Sequence, residues 1–258
     1  MSAQGRNDQQ ADRVIHPAAQ MVNYEKEGII MKKLIFLLFV LVTFITVLPV
    51  SAAPEIEAQI NLIAENSSLW KQDVEFGNWG YTVTDLDHNG RLEIISASVQ
   101  GTGFYTYILA YEVSEDGNGL SELIGPEFKT GDSAPDIMVS EVPVFYDEKD
   151  GRYYYIFDDM IRNGMAEYYE NKRAVSIVDG TWTETYLAYK TTLYTDAEHY
   201  SMDCRDSENN TITEAAYNSI AETVYANLEQ SKAEFNWIMT DNNEFGALNT
   251  DQIAEKLR

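Results

Sequence analysis

Residues 79–98 read WGYTVTDLDHNGRLEIISAS, two runs of β-branched and apolar residues joined by a polar loop. The runs Gly80–Thr84 and Leu92–Ser98 are typical of β-strands. Between them lies Asn89-Gly90, a dipeptide typical of hairpin turns because both residues tolerate positive φ. The stretch therefore predicts a β-hairpin with a loop rich in side-chain oxygen atoms.

The loop carries the donor pattern that calcium requires. Counted from Asp85, oxygen-bearing side chains lie at positions 1, 3, 5 and 9, and glycine lies at position 6. Calcium takes six to eight hard oxygen ligands at ~2.3–2.6 Å in a flexible geometry. Alternate side chains of a tight loop can point inward while the glycine lets the chain turn beneath the ion. The candidate ligands are Asp85, Asp87, Asn89, the main-chain carbonyl of Arg91, and Glu93.

The loop is not an EF-hand, because position 12 would need a bidentate carboxylate and is Ser96, inside a predicted strand. Together with residues 79–81 (WGY) and 101–103 (GTG), the motif Asp85–Ile94 instead resembles the calcium loops of FG-GAP and VCBS-type repeats. It is also similar to uncharacterised secreted proteins of Gram-positive gut bacteria. The resemblance implies bound Ca²⁺ on the five residues just named. Propellers of that family repeat the motif in every blade, whereas this chain has one good copy, so a full propeller is not expected.

Two alternatives stay open at this stage. The first is that Asp85–Glu93 is a metal-free turn, since Asp, Asn and Gly are common turn residues. The second concerns residues 116–123, DGNGLSEL, which align with positions 3 to 10 of the loop. Because its first position is Ser114 rather than a carboxylate, an ordinary hairpin turn is favoured over a weak second site.

The remainder of the chain predicts an α+β fold, mainly an antiparallel β meander. Short β-branched and aromatic runs alternate with Asn-Gly and Asp-Gly turns up to Tyr194. The predicted strands are Gly80–Thr84, Leu92–Ser98, Phe104–Val113, Ile137–Phe145, Tyr153–Phe157, Glu167–Tyr169, Ala174–Val178 and Tyr186–Tyr194.

Helical spacing of apolar residues predicts a helix on either side of the meander. The N-terminal helix covers Pro54–Glu65, and a C-terminal amphipathic helix runs from Tyr217 to Leu228 behind a capping box of Thr211 and Glu214. The last predicted elements are an extended segment or strand at Phe235–Met239 and a short helix at Asp251–Leu257.

Residues 31–52 have the organisation of a secretory signal peptide. Lys32 and Lys33 precede a fifteen-residue apolar run, Leu34–Leu48, that ends in small residues. That run is shorter than the ~20 residues of a membrane-spanning helix, which is the alternative. Residues 1–30 have no hydrophobic periodicity, and translation is expected to start at Met31, with a genuine disordered extension as the alternative. Residues 53–258 are then expected to form a single β-rich, calcium-loop domain.

Composition excludes several classes of function. There are 42 acidic and 18 basic residues, a net charge of −24, which argues against nucleic acid or an anionic membrane surface as a partner. One cysteine, Cys204, excludes an internal disulfide framework, and three histidines argue against a His-built metal site. No nucleophile elbow, zinc-protease, phosphate-binding or dinucleotide-binding motif is present.

The sequence therefore predicts a secreted, calcium-stabilised binding or structural domain, with an extracellular protein or glycan as partner. The alternatives are an extracellular hydrolase whose carboxylates converge only in the fold, or a partner protein of another secreted factor. Two features of the sequence bear on the hydrolase alternative and on a glycan partner. Asp158-Asp159 should point to opposite faces of a strand. The runs Tyr153–Tyr155 and Tyr168-Tyr169 either form a glycan-binding platform or pack across strands.

Overall fold

The computed structural model describes residues 55–72, 79–124 and 134–240, all of which belong to one compact unit, Ala53–Arg258. The predicted extension 1–30, signal peptide 31–52 and helix Asp251–Leu257 lie outside the described residues and stay predictions. None of the helices in the described ranges is long and apolar enough to cross a bilayer.

The first sheet is antiparallel and contains the predicted hairpin of residues 79–98. Its strands are β1 (Trp79–Thr84), β2 (Glu93–Gln100), β3 (Tyr105–Val113), β4 (Leu120–Glu122) and β12 (Ile238–Thr240), in the order β12-β1-β2-β3-β4. The register aligns Thr84 with Glu93 and Trp79 with Ser98, so the two hairpin strands are paired over the whole of β1.

The second sheet is a longer antiparallel meander with one strand added out of sequence. Its strands are β5 (Glu141–Asp147), β6 (Arg152–Asn163), β7 (Glu167–Val178), β8 (Thr181–Tyr194), β9 (Tyr200–Asp206), β10 (Thr211–Ile212) and β11 (Glu229–Glu234). The order is β10-β9-β8-β7-β6-β5-β11, with β11 paired antiparallel to β5 at one edge.

Apolar side chains arrange these two sheets and the four short helices of the described residues in four layers. The helices are α1 (Ile56–Glu65), α2 (Ser67–Trp70), α3 (Glu214–Asn218) and α4 (Ile220–Val224). The main core lies between the two sheets, where residues such as Ile95 and Ile108 meet Val144 and Phe157. On the outer face of the first sheet, α1 and α2 bury Ile63 and Trp70. On the outer face of the second sheet, α4 buries Ala221.

The predicted fold class is confirmed: the chain is β-rich α+β, mainly antiparallel, and not a propeller. The glycine of each predicted Asn-Gly and Asp-Gly turn has positive φ, as that chemistry requires. The two runs predicted around Glu167–Tyr169 and Ala174–Val178 are one continuous strand, β7, with a bulge at Lys172/Arg173. The polar residues between them are held in the ladder by β6 and β8.

The predicted C-terminal helix is wrong in length. Instead of one helix from Tyr217 to Leu228, two five-residue helices meet at Ser219, and the cap is Thr213, not the predicted Thr211 and Glu214 pair. Ser219 Oγ donates to the Ala215 carbonyl, a back-bond that competes with the regular helical ladder. Thr211 lies in strand β10.

Candidate metal centre

The loop between β1 and β2 brings three of the predicted ligands together. One carboxylate oxygen each from Asp85, Asp87 and Glu93 lies within 4.8 Å of the other two. Within residues 55–72, 79–124 and 134–240, no other group of three His, Cys, Asp or Glu side chains has this property. The acidic triad, as we call these three residues, can hold a metal ion.

The loop's own hydrogen bonds give it a closed shape. Asp85 Oδ2 accepts from the Gly90 N–H at 3.1 Å, and Asp87 Oδ1 accepts from the Asn89 N–H at 3.2 Å. His88 and Gly90 have positive φ, 57° and 84°, which folds the chain back beneath the carboxylates. Local turn chemistry therefore positions the triad.

Glu93 is the most buried member of the triad, with no exposed surface. Its Oε2 accepts from the Leu86 N–H at 2.8 Å and from the Thr84 hydroxyl at 2.9 Å. Its Oε1 and the Oδ1 of Asp85 are buried and have no hydrogen-bond partner. Buried polar atoms in folded proteins are nearly always satisfied, so two such oxygens in one loop point to a missing electrostatic partner.

The electrostatics of the triad favour a cation. The pKa of Glu93 is raised to about 8, chiefly by burial; the charges of Asp87 and Asp85 add to the rise, and the hydrogen bonds from Leu86 and Thr84 oppose it. Burial also raises the pKa of Asp87, with a smaller contribution from Asp85. A bound divalent cation opposes both burial and the repulsion between the carboxylates, because it favours their charged forms and replaces the water they have lost.

The side chain of Asn89 forms hydrogen bonds within the loop, and the side chain of Arg91 pairs with a residue of β3. Asn89 Oδ1 accepts from the Arg91 N–H at 2.7 Å, and Asn89 Nδ2 donates to Asp87 Oδ2 at 2.9 Å. The Arg91 guanidinium forms an ion pair with Glu112 at 2.6 Å. Ligation by Asn89 and by the Arg91 carbonyl stays a prediction.

Glu112 is a site residue that the sequence reasoning missed. It lies on β3 directly opposite Glu93, is 2% exposed, and accepts from Asn89 Nδ2 at 2.6 Å. Burial raises its pKa, while Asn89 and Arg91 act to lower it. A signal was present, because Glu112 is the one charged residue in the run Phe104–Val113 and hairpin pairing places that run beside the second strand.

Two residues from other layers anchor the loop. Gln59 of α1, which has no exposed surface, donates to the Gly90 carbonyl at 2.9 Å and accepts from the Leu92 N–H at 2.7 Å. From β6 of the second sheet, the Tyr155 hydroxyl donates to the Leu86 carbonyl at 2.7 Å. The site is therefore fixed by a helix and by both sheets.

The second candidate loop is a hairpin turn, as favoured from the sequence. Asp116 lies in the exposed turn between β3 and β4, where its Oδ1 accepts from the Ser114 hydroxyl at 2.6 Å and the Asn118 N–H at 3.1 Å. Its carboxylate belongs to no acidic group among the described residues.

The other candidates from the sequence do not form a site. Asp158 is exposed and pairs with Lys172, whereas Asp159 is buried and pairs with Arg173, so the two carboxylates point to opposite faces as predicted.

The strand register places Tyr155 opposite Val175 but Tyr168 opposite Arg162, so the two tyrosine runs lie at opposite ends of β6 and β7. A platform combining them is therefore wrong. Cys204 is a buried free thiol, and the exposed His199 ring contacts the Asp196 carboxylate.

A cleft of about 390 Å³ opens beside the loop, between β1 and β11. Asp85 and His88 line it from the loop, and Tyr153 and Glu234 line it from the second sheet. Asp85 and Glu234 are the carboxylates among its lining residues, and Asp85 is also a member of the triad. The hydrolase alternative stays a prediction.

No protein-family model matches this chain, and neither does any curated protein or solved structure.

Proposed function

We propose that the Asp85–Glu93 loop binds Ca²⁺ and that the protein is an exported, calcium-stabilised β-rich domain with a binding or structural role. The observation that carries the proposal is the pair of buried oxygens, Glu93 Oε1 and Asp85 Oδ1, without hydrogen-bond partners inside an acidic triad. A cation between them satisfies both.

The donor chemistry supports calcium over other ions. The triad offers only hard carboxylate oxygens, whereas zinc prefers nitrogen and sulfur ligands and magnesium demands a near-ideal octahedron. The predicted contributions of Asn89 and the Arg91 carbonyl would bring the ligand number towards the six to eight that calcium takes. The resemblance of the motif to FG-GAP and VCBS-type calcium loops supports the same ion.

Export and a partner outside the cell complete the proposal. The signal-peptide pattern at residues 31–52 supports export, and a net charge of −24 suits a soluble acidic domain in a calcium-containing environment. The partner is an extracellular protein or glycan. The proposed role of the ion is structural: it holds β1, β2 and α1 together through the loop's contacts at Leu86 and Gly90.

The first prediction tests the ion. Loops of this kind bind extracellular calcium at ~10⁻⁴–10⁻³ M, so 1 mM calcium should stabilise the native state by about 0.4–1.4 kcal/mol. The melting temperature of the purified protein should rise by a few degrees on adding calcium and return to its starting value in chelator. The measurement is a calorimetric or fluorescence melt across a calcium titration.

Three variants make the test specific. Asp85→Ala and Asp87→Ala should abolish the calcium-dependent rise, because each removes a triad carboxylate. Asp116→Ala is the matched control, an acid in a neighbouring Asp-x-Asn-Gly turn outside the triad, and should keep the full response. Identical melting of the unmodified protein in chelator and in 10 mM calcium would show that the loop is only a turn.

A further inference from the structure

The cleft beside the triad contains an open strand edge. Strand β12 pairs with β1 only from Trp79 to Tyr81. Beyond that point the chain diverges through Asn236 and Phe235 to β11 in the other sheet. Among the described residues no strand therefore pairs with this side of Thr82–Thr84, and Val83 and Thr84 line the cleft.

The opposite wall is the edge strand of the second sheet. Of the described strands, β5 alone pairs with β11, whose residues Ser231, Lys232 and Glu234 are exposed and line the cleft. The cleft thus lies where the two sheets separate, with main-chain groups on one wall and polar side chains on the other. Its volume of about 390 Å³ falls within the ~300–1,000 Å³ typical of ligand sites.

The charge of the cleft favours a basic occupant. Lys232 is already paired with Glu141, at 2.5 Å. Glu234 lines the cleft from β11, and Asp85 lines it from the loop. The field of a protein with net charge −24 adds to this attraction.

We propose that the cleft between β1 and β11 binds an extended peptide segment with basic side chains, which adds as a strand to the Val83–Thr84 edge of β1. Open strand edges bind peptides through main-chain hydrogen bonds, while side-chain pockets select the sequence. Thr82 is buried, so the residues of this edge that the cleft leaves accessible are Val83 and Thr84, at the C-terminal end of β1. The peptide takes the track that β12 leaves after Tyr81. This inference rests on the binding role proposed above, and it makes the partner a protein.

The aromatic side chains of the cleft favour a peptide over a glycan. Glycan platforms present open ring faces, but the Tyr153 ring contacts His88 at 4.2 Å and stacks on Tyr146 at 4.5 Å between centroids. These rings pack on one another across the loop and β5–β6.

The experiment compares three fluorescein-labelled octapeptides by fluorescence anisotropy, with the protein in 1 mM calcium at physiological salt. The first alternates lysine and valine, the second is the same peptide with every main-chain amide N-methylated, and the third alternates glutamate and valine. The lysine peptide should bind at least tenfold more tightly than the other two. The N-methylated peptide keeps the charge and loses the donors, so equal binding of both lysine peptides would overturn strand addition.

Variants of the cleft wall complete the design. Ser231→Trp fills the cleft and should weaken binding of the lysine peptide at least tenfold, and Glu234→Lys should weaken it severalfold. Glu222→Lys, an equal charge change on exposed α4, should leave it unchanged. Unaltered affinity in Ser231→Trp, selective binding on a glycan array with no peptide binding, or a dimer that Ser231→Trp dissociates would each overturn the proposal. Melting curves report calcium binding separately, so a failure of the calcium proposal is distinguishable from a failure of this one.

Discussion

At the scale of single residues, Glu93 is the centre of the site because half of its carboxylate is satisfied and half is not. Oε2 has two donors, from Leu86 and Thr84, which fix the rotamer, while buried Oε1 has none. The pKa of Glu93, raised to about 8 chiefly by burial, means that the neutral form of the side chain is favoured in the metal-free protein. A residue so placed destabilises the metal-free protein and favours binding of a cation.

Replacing Glu93 by glutamine separates these two effects. The glutamine oxygen can keep both hydrogen bonds of Oε2, and the amide is neutral without having to take up a proton. In chelator, we expect the melting temperature of Glu93→Gln to exceed that of the unmodified protein by a few degrees at neutral pH. Its calcium-dependent rise should be lost. Glu115→Gln, an exposed acid in the β3–β4 turn, is the control and should change neither quantity. A variant that melts lower in chelator would contradict the assignment of Glu93 as an unsatisfied buried acid.

At the scale of elements, the sequence predicts those strands, turns and helices that a local sequence pattern determines. The hairpin of β1 and β2, the Asn-Gly and Asp-Gly turns and α1 follow from alternation, turn chemistry and helical spacing. Strand β11 has the sequence EQSKAE, exposed at nearly every position, so no hydrophobic pattern marks it. It is a strand because β5 offers an edge, a tertiary cause that local sequence does not carry. Glu112 differs from β11, because its single charge in the run Phe104–Val113 was a usable signal, but its role depends on its partner across the β2–β3 ladder.

The contact between α1 and the metal loop gives a prediction at this scale. Gln59→Ala removes the partners of the Gly90 carbonyl and the buried Leu92 N–H, which should lower the free energy of unfolding by about 1–3 kcal/mol. It should also weaken calcium severalfold, because the loop is held less firmly. Urea denaturation with and without calcium measures both. Glu57→Ala, an exposed residue of the same helix, should be close to neutral, and equal effects of the two variants would refute the anchoring role.

At the scale of the whole molecule, the metal loop lies at a junction of layers. The Tyr155 hydroxyl reaches from the second sheet to the Leu86 carbonyl, and Gln59 reaches from the outer helix layer. Sequence reasoning identified the loop and three of its acids, but could not show that a helix and a second sheet hold it. Those contacts join residues 31 and 69 positions apart, and only the packing of complete layers brings them together.

The two sheets are also joined by Asp136, which gives the last prediction. Asp136 Oδ1 accepts from the Thr106 hydroxyl of β3 at 2.6 Å, and Oδ2 accepts from the Met160 N–H of β6 at 3.0 Å. Burial raises the pKa of Asp136 despite these two hydrogen bonds. The folded protein therefore keeps this proton at pH values where the unfolded chain, with a pKa of about 3.9, has lost it. It follows that the side chain's contribution to stability falls as pH rises from about 4 through the raised pKa.

Asp136→Asn has no such titration and can keep both hydrogen bonds, with its amide oxygen towards Met160 and its NH₂ towards the Thr106 hydroxyl. Melting curves in chelator between pH 4 and pH 7 should show the variant gaining stability relative to the unmodified protein as pH rises. Asp150→Asn, in an exposed turn, should follow the unmodified profile. A difference between Asp136→Asn and the unmodified protein that is constant with pH would mean that Asp136 joins the sheets as an ordinary ionised carboxylate.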